Sequence, residues 1–324
     1  MAKAVGLISG GLDSILATKM ILDQGISVIG LNFISPFFDN SSFVENLSKV
    51  FSIDIHIERL GADYINIIKN PKYGYGKNLN PCIDCHIFML KQAKSLMEKI
   101  NADFVFTGEV LNERPMSQNF TALSIIEKES SLEGVLLRPL SAQLLPPTVV
   151  ELRNIVKREL LGNIQGRSRK PQLELAHKFG ITKFPQPAGG CLLTDPDFSR
   201  RLKDAFLHNE DTLFDITLLK IGRHFRLDDP QTSKIIVGRN EKENELLHKL
   251  VRDVDLLLEP VDTPGPVVMV PNRNPTPQII NFACGLCARY SDKSDNKELV
   301  KVKFNDIIIE AMPLNDEVIN KYRI

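Results

Sequence analysis

The sequence predicts an α/β protein, a doubly wound parallel sheet followed by a smaller β-rich α+β domain. Three observations predict it. Through the first half of the chain, short apolar runs alternate with stretches of helical spacing, the pattern of parallel βαβ units. The hexapeptide Ser9–Ser14, with two glycines, sits directly between the first run and the first helix. Past about residue 205 the pattern changes to short β-rich segments.

Taken in order, Ala4–Ser9 reads as a buried strand and Ser14–Gln24 as an amphipathic helix ended by Gly25. Ser27–Phe33 and Ile53–Ile57 are the next strands, His86–Ile100 has helical spacing, and Asp103–Phe106 is a further strand. Pro139–Pro147 reads as a loop leading into a helix at Thr148–Leu161. A boundary is expected near residues 200–215, dividing 1–205 from 206–324. Beyond it Leu218–Ile221, Lys234–Val237, Val267–Val270 and Val302–Ile309 read as strands, interrupted by one helix at Glu241–Leu258. Prolines from Pro260 to Pro277 mark a turn-rich stretch.

Composition bounds the function. The chain has 324 residues, 43% hydrophobic and 25% charged, which suits two globular domains and excludes a disordered chain. Forty Lys and Arg balance forty Asp and Glu, so a polyanion partner has to be met by a local patch. Such a patch lies between Glu151 and Lys203, where eleven basic residues face five acidic ones and Arg167, Arg169 and Lys170 cluster. Clustered cations of this kind release counterions from nucleic acid, although a solvated helix face with a polar loop has the same composition. No apolar run approaches a membrane span, and Gly10, Gly11 and Asp13 interrupt the one near the N-terminus, so a cytoplasmic protein is expected.

The Ser9-Gly10-Gly11-Leu12-Asp13-Ser14 segment is suited to phosphate. Glycines let backbone N–H groups approach the oxygens, Ser9 and Ser14 add hydroxyl donors, and the helix that follows offers its positive end. Asp13 can hold a Mg²⁺ that bridges phosphates. The chain has no GxxxxGK[ST] segment. Placed between strand and helix, SGGLDS resembles the PP-loop of the ATP pyrophosphatases, which have an adenine nucleotide α-hydrolase-like fold. That resemblance implies cleavage of ATP between its α- and β-phosphates to adenylate a substrate.

Five cysteines are too few and too uneven for a secreted disulfide framework. Cys82 and Cys85 form one CxxC, Cys191 follows Pro187-Ala188-Gly189-Gly190, and Cys284 and Cys287 form a second CxxC. The second pair lacks the further ligands of a zinc site and is read first as two buried cysteines. Asn80-Pro81-Cys82-Ile83-Asp84-Cys85 resembles the Asn-Pro-Asp-x-x-Cys segment of tRNA 2-thiouridine synthases, which implies Cys85 as the sulfur-carrying nucleophile. Cys82 replaces the acid of that pattern, leaving Asp84 as the candidate for acid/base work. A helix N-terminus at this point is expected to lower a thiol pKa. The triad also resembles cluster-dependent tRNA thiolation enzymes, implying a candidate [4Fe–4S] cluster on Cys82, Cys85 and Cys191. The competing scheme has no cluster, with a persulfide on Cys85 resolved by Cys191 as a disulfide.

Thr107-Gly108-Glu109 with Ser117-Gln118 is similar to a segment of tRNA 4-thiouridine synthases, making Gly108, Glu109 and Gln118 candidate nucleotide or substrate contacts at a strand end. In the second half, Ile221–Arg226 and Val237–Glu245 resemble the RNA-binding domain of NFACT-type ribosome quality-control proteins. The resemblance implies that Arg223, Arg226 and Arg239 contact RNA phosphate and that Phe225 or His224 stacks on a base. Residues 201–324 nevertheless carry eighteen basic against twenty acidic residues, the balance of an ordinary scaffold.

Together these resemblances imply an ATP-dependent tRNA sulfurtransferase making 2- or 4-thiouridine. Its sulfur would come from a cysteine desulfurase, a sulfur carrier or free sulfide. Two other readings share the loop: a ligase or amidotransferase acting on a small acid, and an RNA-binding factor that only senses nucleotide.

Overall fold

A computed structural model of the chain describes residues 2–184, 190–228, 233–271, 274–292 and 298–324. The chain divides into two compact units, residues 1–195 and 196–324. The division lies ten residues before the boundary read from composition, because the helix Pro196–Leu207 groups with the second unit.

In the first unit the elements follow as β1 (Lys3–Leu7), α1 (Leu12–Leu22), β2 (Ser27–Ile34), α2 (Ser41–Phe51), β3 (Asp54–Arg59), α3 (Ala62–Lys69), α4 (Cys82–Lys99), β4 (Phe104–Phe106), α5 (Phe120–Glu129), β5 (Leu136–Leu137), α6 (Val149–Leu152) and α7 (Lys170–Lys178). The five strands form one sheet in the order β3-β2-β1-β4-β5, and every pairing is parallel. β1 is central, and its Ala4 and Val5 are wholly buried, as expected of a strand covered on both faces. The chain winds outward from β1 to β3 and then returns to the other side of β1 as β4. The carboxyl ends of β1 and β4 therefore flank the point where the winding reverses, the place where open α/β sheets bind ligands.

α1 is buried nearly all round instead of being amphipathic, because α7 packs over it. The helix expected over Thr148–Leu161 shrinks to the four residues of α6. A reciprocal cap between Thr148 and Glu151 starts it, and Asn154 ends it in the left-handed region at φ 55°.

The second unit has α8 (Pro196–Leu207), α9 (Leu213–Leu218), β6 (Arg223–Arg226), β7 (Lys234–Val237), α10 (Glu241–Leu250), β8 (Leu256–Pro260), β9 (Val268–Val270), α11 (Pro277–Arg289), β10 (Val300–Phe304), β11 (Ile307–Ala311) and α12 (Asp316–Tyr322). Its six strands run β11-β10-β8-β9-β7-β6, antiparallel throughout. α11 covers this sheet and completes its core with Ala283, Cys284, Leu286 and Cys287. The second CxxC is thus a buried pair, with both thiols pushed up by desolvation.

Three expected elements differ. Leu218–Ile221 is not a strand but the end of α9 and its exit turn, since a Thr212–Asp215 cap starts a helix just before it. The helix expected to Leu258 stops at Leu250, and Leu256–Pro260 joins the sheet. The single strand expected over Val302–Ile309 is a hairpin, turned by Asn305 at φ 49°.

Candidate nucleotide and cysteine site

The loop after β1 turns tightly into α1. Gly10 turns at φ 79°, a region other residues rarely adopt, and Gly11 caps α1. Inside the loop, Ser14 Oγ donates to Gly11 O at 2.8 Å and Gly11 N donates to Ser9 Oγ at 3.3 Å. Asn40 holds it from outside through Nδ2 to Ser9 O, 3.1 Å. Leu12 is buried by its side chain, leaving only its backbone to serve a ligand. The first N–H groups of α1 have no partner within the helix.

The wall from β4 comes closest at Gly108. A Cβ there would stand 2.5 Å from Ser14 N, so only glycine lets the chain beyond β4 meet the first turn of α1. The chain then runs through Glu113, Arg114, Ser117 and Gln118. Gln118 is turned inward, its Oε1 accepting from Arg114 N at 3.1 Å. A second segment lies beside this one: Gly166 N donates to Leu111 O at 2.7 Å, and Leu111 bridges Gln165. It leads through Arg169, which caps α7, to the buried Gln172.

Several buried polar atoms here lack a hydrogen-bond partner: Asp13 Oδ1, Ser117 Oγ, Arg169 Nε, and both Gln172 amide atoms. Burial raises the Asp13 pKa against the opposing charges of Arg169 and Arg114. Glu113 is raised by burial and by Asp13. Among the described residues no three His, Cys, Asp or Glu side chains are grouped tightly enough to hold a metal ion on their own. A Mg²⁺ that arrives with a nucleotide needs only one or two carboxylates besides phosphate oxygens, and the unsatisfied Asp13 fits that demand.

Glu109 differs from its expected role. It is saturated by the fold: Oε1 bonds His86 Nδ1 at 2.7 Å, and Oε2 accepts from Thr107 Oγ1 at 3.0 Å and Arg138 Nε at 3.1 Å. Burial alone would raise its pKa, but Arg138 and His86 overcome this and hold it at about 2. Arg138 also reaches Glu127, 2.9 Å away, and the Leu123 carbonyl. Glu109 therefore braces the β4 edge, with both oxygens engaged by the fold.

α4 begins at Cys82, so Cys82, Cys85 and His86 share one helix face. The segment that follows Cys191 is tied down at two points: Leu192 N donates to Phe37 O at 3.0 Å, and Asn78 Nδ2 to Thr194 O at 2.7 Å. The three thiols sense one another, each proximity opposing ionisation. Pro187-Ala188-Gly189 before Cys191 lies outside the described residues. The thiolate expected at this helix start is not found. Desolvation pushes Cys85 up to about 12 and Cys191 to about 11, and raises Cys82. Tyr64, which the sequence did not suggest, sits 2.9 Å from Cys85 Sγ through its hydroxyl and works against that shift. Asp84 is not an acid/base group: its two oxygens accept from Lys72 N at 2.9 Å and Tyr73 N at 3.0 Å, pinning the loop before α4.

The expected RNA contacts divide. Arg167 and Lys170 are exposed, whereas Arg169 turns its Nε inward. In the second unit Arg226 is spent on Asp204, 2.6 Å, and on Glu210. Arg239 pairs with Glu243, and Arg223 lies over the Tyr290 ring, 4.5 Å from its centroid. Phe225 and His224 are buried, so neither can stack on a base. They are adjacent on β6 between Arg223 and Arg226, so they point to opposite faces of the strand, and both faces are covered there.

Two family models match the chain. Residues 1–143 match the thiamine biosynthesis protein (ThiI) family, and residues 222–323 match the NFACT protein RNA binding domain. Among curated proteins, the tRNA-specific 2-thiouridylase MnmA 2 of Fusobacterium nucleatum is 31% identical over 115 residues, covering 33% of this chain and 34% of that one. The tRNA-specific 2-thiouridylase MnmA of Chlorobium phaeovibrioides is 26% identical over 213 residues, 61% of this chain and 56% of that one. A probable tRNA sulfurtransferase of Ureaplasma urealyticum is 27% identical over 143 residues, 43% of this chain and 36% of that one. The chain thus spans about a third to a little over half of the length of these relatives. Among solved structures, a 4-thiouridine synthetase–RNA complex with bound ATP aligns at TM-score 0.36 and 19% identity, over 56% of this chain and 52% of that one. No helix among the described residues is long and apolar enough to cross a membrane.

Proposed function

We propose that this chain, a PP-loop protein of the tRNA-thiolation family with an NFACT-type RNA-binding domain, is an ATP-dependent tRNA sulfurtransferase of the cytoplasm. The observation that carries it is the convergence of Cys82, Cys85 and Cys191 at α4 in the unit whose sheet edge presents the Ser9–Ser14 phosphate loop. The loop would hold the triphosphate of ATP, with Asp13 on Mg²⁺ that neutralises developing charge. A uridine carbonyl oxygen attacks the α-phosphorus, forming a C–O–P link and releasing pyrophosphate. Sulfide then adds at the activated carbon, its proton passes to water, and AMP leaves with the former carbonyl oxygen, giving thiouridine. The second unit would hold the tRNA, and the sulfur would be brought by a desulfurase, a carrier or free sulfide.

Two sulfur-handling schemes fit the triad. In the first, Cys82, Cys85 and Cys191 anchor a [4Fe–4S] cluster, which when bound would supply an open iron site for sulfide. The convergence of all three thiols favours it. In the second, Cys85 takes sulfane sulfur from a persulfide donor such as a cysteine desulfurase, whose own thiol leaves; the outer sulfur then passes to the activated carbon as Cys191 displaces it, and an external thiol reduces the Cys85–Cys191 disulfide left behind. The absence of a tight metal-holding group among the described residues favours that one.

The test is incubation of purified chain with ATP, Mg²⁺ and bulk tRNA, with either sulfide or a persulfide donor plus a thiol reductant, read as thiolated nucleosides by mass spectrometry. Thiouridine that disappears in Cys85→Ser is expected. No thiolation, or pyrophosphate release stimulated by a small acid and not by tRNA, would overturn the proposal. Iron and acid-labile sulfide in anaerobically purified protein, lost in Cys82→Ala, select the cluster; iron-free protein that thiolates with the persulfide donor and not with sulfide alone selects the persulfide.

A further inference from the structure

We propose that Arg169 and Gln172 form the second wall of the ATP pocket and bind the β- and γ-phosphates, so that the basic Gly166–Lys170 loop serves nucleotide on its inner side and RNA only on its outer side. This rests on the sulfurtransferase reading for the identity of the nucleotide.

Buried polar atoms in a folded protein nearly always find partners, and a local group of them without any marks a place where a ligand supplies the partners. Gln172 is fully buried with neither amide atom bonded, although it stands close enough to Asp13 to favour the ionised carboxylate. Arg169 Nε is likewise buried and unbonded. Both arise at the start of α7, which packs on α1, and both act electrostatically on Asp13 in the first turn of α1. The N-terminal ends of the two helices therefore stand side by side, and each end favours an anion. Ser117 Oγ, also unbonded, and Arg114 extend the same polar surface toward Cys82. A triphosphate entering here meets the loop N–H groups on one side and the Arg169 guanidinium with the Gln172 amide on the other. RNA backbone would instead stay at the surface, where Arg167 and Lys170 are exposed.

The experiment compares binding of Mg²⁺-ATP, AMP and bulk tRNA to wild-type chain, Arg169→Ala and Arg169→Lys by isothermal titration calorimetry, with thermal melts as a check on folding. A charge-assisted hydrogen bond to phosphate predicts an ATP Kd weakened about tenfold to a hundredfold in Arg169→Ala. AMP and tRNA affinities should hold, because the contact lies beyond the α-phosphate. Arg169→Lys should recover part of the loss, keeping the charge but not the planar fork, and its measurement stands in should the alanine variant misfold. Unchanged ATP affinity in Arg169→Ala, or an equal loss of AMP binding, overturns the proposal and leaves the sulfurtransferase reading intact. Failure of the wild-type chain to bind ATP would overturn both.

Discussion

A buried and a half-buried carboxylate stand at the carboxyl ends of neighbouring strands and have opposite fates. Glu109, beyond β4, has both oxygens bonded and is held at about 2. Asp13, beyond β1, keeps one oxygen unbonded and is raised. Burial acts the same way on both, disfavouring charge. The difference lies in partners: Arg138 and His86 touch Glu109, whereas Arg169 and Arg114 influence Asp13 without bonding it. A carboxylate that the fold has satisfied is scaffold, and one it has left short is prepared for a ligand. The second unit repeats the first case, with Arg226 and Lys234 closed over Glu210 and Asp204.

The largest expected effect breaks the satisfied side. Arg138→Met leaves Glu109 and Glu127 facing one another without their cation, and losing one partner of a buried pair costs about 3–5 kcal/mol. Urea unfolding should show that loss, with Glu109→Gln in the same chain recovering part of it. A variant that unfolds like wild type but no longer binds ATP would mean that the Glu109 network is itself a ligand site, and the contrast with Asp13 would collapse.

What the sequence revealed follows the same division. β1, the loop and α1 were legible because strand, Gly-Gly turn and helix are adjacent in the chain, and their chemistry depends on local geometry. Cys82, Cys85 and Cys191 were legible as a set through their residue types. The β-sheet register of the second unit was not: burial of Phe225 and His224 depends on pairing with β7 and on α12, which comes far later in the chain. Tyr64 and Arg138 were equally hidden, since each gains its meaning from a partner far along the chain, and Gln172 because its burial follows from α7 packing on α1. The Arg-rich loop was legible as a cluster but not as two-sided, because composition carries no direction. Asp84 misled for a related reason, its backbone partners Lys72 and Tyr73 lying in a loop with no pattern to mark it.

A smaller effect is expected where the two sides meet, at Cys85. Its thiol is desolvated like Asp13 but has one polar partner, the Tyr64 hydroxyl. Tyr64→Phe keeps the ring packed against Phe37, Phe38 and Phe88 and removes only that partner. A hydrogen bond to a developing thiolate is worth about 1.5–3 kcal/mol, so thiolation should slow about tenfold or more while the melting temperature holds. Iodoacetamide labelling of Cys85 near pH 8 should slow in parallel. If turnover is unchanged, Cys85 does not ionise during the reaction and its burial is structural, like that of Cys284 and Cys287.

The pH dependence is the most discriminating test, because its sign differs between the two carboxylates. Glu109 has a folded pKa of about 2 against an ordinary 4.5, so it stabilises the fold above about pH 4.5, and that contribution is lost as pH falls toward 2. Asp13 has a folded pKa above its ordinary 3.8, so its ionised form weakens the fold at neutral pH, and protonation relieves the penalty as pH falls. Without nucleotide, Asp13→Asn should therefore be more stable than wild type at pH 7 and lose that advantage on acidification. Glu109→Gln should be less stable at pH 7 and approach wild type as the pH drops through the 4.5-to-2 window. Thermal melts across pH 2–7 on the three proteins read both signs directly. Saturating Mg²⁺-ATP should reverse only the first, since wild type then gains binding energy through Asp13 that the asparagine variant lacks. An Asp13→Asn chain that is already less stable at pH 7 without ATP would place a partner for Asp13 inside the fold, and the pocket would then be as satisfied as the Glu109 network.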